Sequence, residues 1–298
     1  MNIRHLRIFI MVADCGKMSV AAEKLFITQP SVSQAIREIE DFYGIKLFER
    51  LSKKLYITES GALLLKYARH IVQSFDEMEM ELKNTGQSIS LRVGATITVG
   101  TCMLNKIIDD FEKSNKDIAT KITINNTNVI ERMILNSELD IGIVEGVIEN
   151  KDIIKVPIYK DKLVIVVGKK HRFYNRKEIN IEDLQGEDMI VREAGSGSRD
   201  TFQKILKERN IDITMKWIST NTEAIKNGVI GGHGISVLPM MIAEKEIEGG
   251  MLHTVGLKDI EIFRDICVVY HKNKFMSDHF KKFRKSIYSS YNVQTFSE

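Results

Sequence analysis

Residues 21–40 read AAEKLFITQPSVSQAIREIE, and two short helices fit them. Ser19 can cap the first, which carries Ala21, Ala22 and Leu25. After Phe26 and Ile27, Thr28 supplies a cap for the second, and Pro30 falls in its first turn, where proline is tolerated. At about 100° per residue, Val32, Ile36 and Ile39 form one apolar stripe. Gln29, Pro30, Ser31, Ser33, Gln34 and Arg37 take the remaining surface. Upstream, Leu6, Phe9, Ile10 and Ala13 repeat at helical spacing until Cys15 and Gly16 break the pattern. Residues 1–42 therefore predict three helices, the last two meeting at a tight turn.

Two helices at such a turn, the second opening with small polar residues, form a helix-turn-helix. Gln and Ser offer donors and acceptors to base edges, and Arg37 has the reach for guanine or phosphate. Downstream, residues 47–50, a polar turn at 51–54 and residues 55–58 predict a β-hairpin with a basic tip. As a wing beside the third helix, it would bring Arg50, Lys53 and Lys54 to phosphates or the minor groove. Charge agrees: residues 1–70 hold eleven basic and seven acidic side chains, whereas residues 71–298 hold 32 and 33. A basic end on a neutral body suits local contact with nucleic acid.

The stretch above, followed by GIKLFER and YITESG, resembles the LysR-type transcriptional regulators over roughly the first 60 residues, with TQPSVSQ its most specific part. One departure is the wing tip, where many members carry a glycine and this chain has Leu51, Ser52, Lys53 and Lys54. From residue 58 to about residue 83 the chain reads as one helix, in which Leu64, Ala68, Ile71, Phe75, Met78 and Leu82 alternate four and three apart. That is the seam of a two-stranded coiled coil, and the resemblance implies dimerisation through this linker helix. Residues 84–88 read as a hinge.

Beyond residue 90 the period changes. Short β-branched runs at 91–97, 122–124, 141–144, 163–167, 189–191, 235–238 and 266–269 alternate with helical stretches, among them 103–113 and 201–208. Alternation of this kind predicts parallel strands flanked by helices, here as two small sheets. The resemblance implies a body like the type-II periplasmic binding proteins: two α/β lobes joined by crossover strands, placed near 156–162 and 264–268, with the last helix returning to the first lobe. The expected organisation is a winged helix-turn-helix at 1–58, a linker and hinge at 59–89, and an effector domain at 90–298. Its first lobe would take 90–158 and 267–298, its second 159–266.

GSGSR at 195–199 follows one strand and opens a helix, so Ser196, Gly197 and Ser198 present N–H groups and hydroxyls suited to an anion. Thr96, Thr98 and Thr101 offer the same chemistry after the first strand of the body. Glu145, ending DIGIVEG, would meet an amino or hydroxyl group. The resemblance implies a small anionic or zwitterionic effector held between the lobes against these segments. GGHGISVLP at 231–239 also fits the family pattern and reads as a turn, His233 included. The basic residues Lys281, Lys282, Arg284 and Lys285 read as the wet side of an amphipathic last helix. Cys102 is placed near a helix start, where a thiolate is favoured.

Other classes fit poorly. No GxGxxG opens a helix after a strand, and no P-loop, HExxH or GxSxG occurs, so an α/β enzyme is disfavoured. The three cysteines form no CxxC pair, which argues against a disulfide framework or a zinc site. Residues 8–13 are too short for a secretory signal core and run into Asp14, which also disfavours a transport receptor. The expectation is a cytoplasmic homodimer or tetramer with no metal, no resident cofactor and no membrane association. It would bind double-stranded promoter DNA, with RNA polymerase as a further partner and an effector whose identity the sequence does not name.

Overall fold

The computed structural model describes residues 1–51, 54–83 and 89–291. It divides into two compact units. The first holds the described residues up to Lys83 together with Leu135–Ser137 and Asn273–Phe275; the second holds the rest.

The first unit opens with α1 (Ile3–Cys15), α2 (Met18–Lys24) and α3 (Gln29–Tyr43). Leu6, Phe9, Val12, Ala21, Val32 and Ile39 meet in one core. The cap expected at Ser19 is not formed: α2 begins earlier, with Lys17 at the N-cap and no side-chain bond. A hairpin follows, β1 (Phe48–Leu51) antiparallel to β2 (Lys54–Ile57) and closing at Leu51 opposite Lys54. Then comes α4 (Glu59–Lys83), 25 residues long. Thr58 caps it by accepting from the Gly61 N–H at 2.9 Å, while its own hydroxyl donates to the Lys46 carbonyl at 2.6 Å. Ion pairs Arg7–Asp76 and Arg69–Asp14 hold α4 along α1. The hinge expected at 84–88 lies outside the described residues.

The second unit continues with β3 (Ile89–Thr96), α5 (Ile97–Cys102), α6 (Leu104–Ser114), β4 (Ile118–Asn125), α7 (Thr127–Leu135) and β5 (Ile141–Glu145). The long strand β6 (Ile153–Gly168) leads to β7 (Glu178–Ile179), β8 (Asp188–Arg192), α8 (Gly197–Glu208), β9 (Thr214–Ser219), α9 (Thr222–Ile230) and β10 (Ser236–Pro239). The chain closes with α10 (Met240–Glu248), β11 (Leu252–Leu257), β12 (Ile262–His271) and α11 (Asp278–Ser290).

Two lobes result, each with its own core. One gathers Leu91, Val93, Phe111, Ile143, Phe280 and Phe283. The other gathers Leu163, Ile165, Phe173, Leu184, Met189 and Phe202. The Phe111 and Phe283 rings meet edge-on at 4.9 Å, so the last helix does return to the first lobe. The crossovers are the paired strands β6 and β12, antiparallel over ten register positions.

One expectation changes. Instead of two separate parallel sheets, the crossovers join most strands into one eight-stranded path, β4-β3-β5-β12-β6-β11-β7, with β10 on β6. Among the described strands, β3–β4, β3–β5, β7–β11 and β8–β9 pair in parallel, with a single parallel bridge from Met189 to Ile235. The physical reason is length: a 16-residue strand such as β6 reaches through both lobes and carries the ladder with it. Among the described residues no helix is long and apolar enough to cross a membrane.

Gly61 shows how tightly α4 meets the hairpin, since a Cβ there would lie 2.3 Å from the Leu47 carbonyl oxygen. In a free helix Gly→Ala gains about 1 kcal/mol. Here the backbone contact reverses the sign: Gly61→Ala should lower the urea midpoint of the first unit, and a raised midpoint would contradict the packing.

Candidate functional site

Thr28 adopts extended backbone and caps α3, its Oγ1 accepting from the Ser31 N–H at 3.4 Å and lying 2.9 Å from the Ser31 hydroxyl. Val32, Ala35, Ile36 and Ile39 are buried against the neighbouring helices. Gln29, Pro30, Ser31, Gln34 and Arg37 are exposed and Ser33 is half-buried. Gln34 donates to Glu38 at 2.9 Å, whereas the Gln29 and Arg37 side chains have no partner among the described residues. The six positions thus share the uncovered side of one helix.

Glu40 was not singled out from the sequence, yet it sets the hairpin against this helix. Its buried carboxylate accepts from the Leu47 N–H at 2.8 Å and from Lys46 Nζ at 2.7 Å. That hydrogen bond and the Glu40 charge push the Lys46 ammonium pKa up. Of the wing residues, Arg50 and Lys54 have backbones in the paired strands, but their side chains lie outside the described residues, as does all of Lys53.

The seam read along α4 is partly consumed at home. Ala68 is fully buried and Leu64 is packed against the same headpiece core, because α1 covers that side. Within this chain Ala68 is thus covered, while Leu64 is half-buried. Ile71, Met78 and Leu82 are exposed, Phe75 is half-buried, and Leu63 and Tyr67 join the uncovered face.

In the second unit the decisive group is Arg264, on β12. Its side chain is only 1% exposed. Nε donates to Asp161 at 2.8 Å, Nη1 to the Ser198 hydroxyl at 2.8 Å, and Nη2 to the Thr98 hydroxyl at 3.0 Å. Glu145 Oε1 lies 3.4 Å from Nη1. The Thr96 hydroxyl donates to the Glu145 carboxylate, and Thr127 donates to the Glu145 carbonyl at 2.8 Å. One guanidinium therefore gathers α5, β5, β6 and α8. Asp161 and Arg264 are direct register partners on the two crossovers. Neither was picked out from the sequence; the available signal was a charge at the inward position of an alternating strand, Ile262, Arg264, Ile266.

Backbones close the same seam. A Cβ on Gly197 would sit 2.5 Å from the Glu145 carbonyl oxygen, and one on Gly146 would sit 2.7 Å from the Gly197 Cα. Ser196 is buried at the N-cap of α8 and makes no side-chain cap bond. A cavity of about 20 Å³, roughly room for one water, lies beside α8 and includes Arg192, Ser198, Arg199 and Ser236 in its lining.

Thr96, Thr98, Glu145, Gly197 and Ser198 are thus brought together, with Ser196 at the adjoining N-cap. Thr101 is not. It is exposed near the C-terminal end of α5, and its hydroxyl donates back to the Ile97 carbonyl at 2.7 Å. Cys102 does stand near a helix start, at the end of α5 and just ahead of the α6 N-cap, but burial, then Asp161 and Glu145, push its pKa up, against a thiolate.

Two family models account for the chain. "Bacterial regulatory helix-turn-helix protein, lysR family" matches residues 3–62, and "LysR substrate binding domain" matches residues 84–290. The chain belongs to the LysR family. This LysR-family protein is a DNA-binding transcriptional regulator with an effector-binding domain. It is similar to the HTH-type transcriptional activator CmpR of Synechocystis sp., 27% identical over 278 residues, 93% of this chain and 91% of CmpR. Its fold is similar to that of a full-length OxyR variant from Pseudomonas aeruginosa, with a TM-score of 0.73 at 20% identity, covering 100% and 99% of the two chains. It is also similar to the CcmR regulatory domain of Synechocystis in complex with 2-PG, with a TM-score of 0.64 at 24% identity, covering 68% of this chain and 98% of that one.

The Arg264 cluster sets two carboxylates against one guanidinium. Burial pushes the Glu145 and Asp161 carboxyls up, and the Arg264 charge opposes it. A carboxyl whose folded pKa lies above its unfolded value adds stability that is whole below 4.5, the ordinary glutamate value, and is lost as pH climbs through the raised value. The melting temperature of the effector domain should therefore fall as pH rises from mildly acidic to neutral, and Glu145→Gln should flatten that slope. An unchanged slope in the variant would assign the dependence to other groups.

Proposed function

We propose that α3 reads promoter DNA in the major groove through Gln29, Pro30, Ser31 and Ser33, with Gln34 and Arg37 assisting. Arg50, Lys53 and Lys54 would hold the sugar–phosphate backbone. Phosphate contacts would supply salt-sensitive affinity, and the helix face would select sequence. The observation that carries this reading is the uncovered polar side of α3, where Gln29 and Arg37 have no intramolecular partner among the described residues while Val32, Ile36 and Ile39 are sealed inside.

The functional segments are the reader at 1–58, the linker and hinge at 59–89, and the effector domain at 90–298. The chain would act in the cytoplasm as a homodimer or tetramer on an interrupted dyad, with RNA polymerase as a further partner. Self-association is supported by the apolar side of α4 carrying Leu63, Tyr67, Ile71, Met78 and Leu82 in the open. It is also supported by β4 and β9, each paired on one side only among the described residues and exposing Ile122, Ile124, Trp217 and Ile218.

Between the lobes, a small anionic or zwitterionic metabolite would take the first turn of α8, whose N–H groups lack helical partners, together with Ser196 and Ser198. Thr96, Thr98 and Glu145 would face it from the other lobe, and Arg264 would exchange an internal partner for the ligand. The complex of the CcmR regulatory domain with 2-PG supports a small-molecule effector at this fold. By linkage, such a ligand shifts the assembly only as far as its affinity differs between the two lobe arrangements.

Each proposed site has its own test. Gln29→Ala or Ser33→Ala should weaken discrimination between the DNA upstream of the chain's own gene and random DNA by about 1–3 kcal/mol per lost base contact. Gel shifts showing equal loss on both DNAs would remove those residues from the reading role. A thermal-shift screen of small carboxylates, amino-acid derivatives and inorganic oxyanions should return stabilising compounds that lose their effect on Ser198→Phe, with gel shifts unchanged. A full response in that variant would move the pocket elsewhere.

A further inference from the structure

Between α2 and α3 the chain makes a turn whose backbone asks for glycine. The Ile27 N–H bonds to the Ala22 carbonyl at 3.0 Å and the Phe26 N–H to the Glu23 carbonyl at 3.1 Å. That pair of bonds is the Schellman closure of a helix, and the residue at its centre must be left-handed. Phe26 occupies that position with φ 54°. Gly16 and Gly44 fill the same role after α1 and α3, at φ 62° and 65°. At the third such position stands a phenylalanine, for which left-handed backbone is strained.

Burial would ordinarily explain a large aromatic kept against its backbone preference. It does not here. Phe26 is 95% exposed, more than any other large apolar side chain among those described, while its neighbours Leu25 and Ile27 pack on the headpiece core. Within the described protein the ring gains nothing from folding and the turn is the worse for it. Strain retained without packing is characteristic of a functional position. Phe26 precedes the Thr28 cap by two residues, so it stands at the N-terminal end of α3, where Gln29, Pro30 and Ser31 begin the helix.

We infer that Phe26 is a specificity-determining residue that lays its ring against the 5-methyl group of a thymine at the edge of the base pairs read by α3. The thymine methyl is the apolar feature of the major groove, and an aromatic ring is among the side chains that recognise it. This inference rests on the proposed reading role of α3 and adds a contact that none of the polar residues can make.

The test uses the full chain and a duplex selected by the wild-type protein from a randomised oligonucleotide pool. Phe26→Gly should keep or raise the melting temperature, because the left-handed turn is relieved, yet bind the selected duplex about 5- to 10-fold more weakly while holding random DNA as before. Replacing thymidines one at a time by deoxyuridine, which removes only the methyl, should cost wild type a similar factor at one position and cost Phe26→Gly nothing there. Phe26→Asn, which also tolerates the turn, should repeat the loss. Wild-type affinity in Phe26→Gly would overturn the inference, as would equal loss on both DNAs without a deoxyuridine-sensitive position, or a lowered melting temperature in both variants. Gln29→Ala separates the two levels: if it loses discrimination while Phe26→Gly does not, only the Phe26 contact falls. If neither does, the reading role of α3 falls with it.

Discussion

A single guanidinium holds the seam of the effector domain. Arg264 sits where two crossover strands, a strand end and two helix starts converge, and it donates to each side at hydrogen-bonding distance. Its attraction to Asp161 at 2.8 Å is roughly 6 kcal/mol in a medium of effective dielectric about 20. Removing each ion from water costs several kcal/mol, so the net is close to zero. The cluster is therefore better understood as a geometric specification than as a source of stability. Five elements must meet at fixed angles for its donors and acceptors to be satisfied, and a different lobe angle would strand buried charges. The Gly146–Gly197 approach makes the same demand sterically, since neither position has room for a methyl group.

The headpiece separates its tasks by helix face. The buried side of α3 belongs to the core, and the cap at Thr28 fixes where the helix starts. At the other end the buried Glu40 carboxylate takes two donors from the hairpin approach, so helix and wing share one anchor. On the polar side, Gln29 and Arg37 carry no such anchoring contact among the described residues, while Gln34 meets only Glu38. A surface helix needs only one apolar stripe to stay folded, which frees the other residues for contact with a partner.

Much of this was legible because the relevant signals are local. The Thr28 cap, the helical stripe of Val32, Ile36 and Ile39 and the hairpin follow from spacings of a few residues, whereas the crossover strands came from the family resemblance. What escaped depends on partners far away in the chain. Arg264 meets Asp161, Ser198 and Thr98 across 103, 66 and 166 residues, and no periodicity reports that. Apolar repeats also say which side of a helix is apolar without saying what covers it, so Ala68 was read as a pairing residue although α1 buries it. Thr101 lies apart for a smaller reason, since the six-residue helix α5 carries it to an exposed C-terminal end, while Cys102 keeps its place ahead of α6 but has burial and two carboxylates opposing its thiolate.

Helix caps tie these observations together. Asn2, Thr28 and Asn221 each accept from the first turn of their own helix, as residues of those types commonly do. At the lobe seam the pattern breaks. Thr96 and Ser196 precede α5 and α8, are chemically suited to cap, and make no cap bond. A missing cap forgoes about 1 kcal/mol each. Thr96 has turned its hydroxyl to Glu145, and Ser196 is buried at its N-cap position without a cap bond. Ser277, before α11, likewise makes no cap bond and places its hydroxyl 3.0 Å from His279 Nε2, so a suited N-cap residue gives up its cap where another partner competes. At the seam the competing demand is the Arg264 cluster, to which Glu145, the acceptor of the Thr96 hydroxyl, belongs.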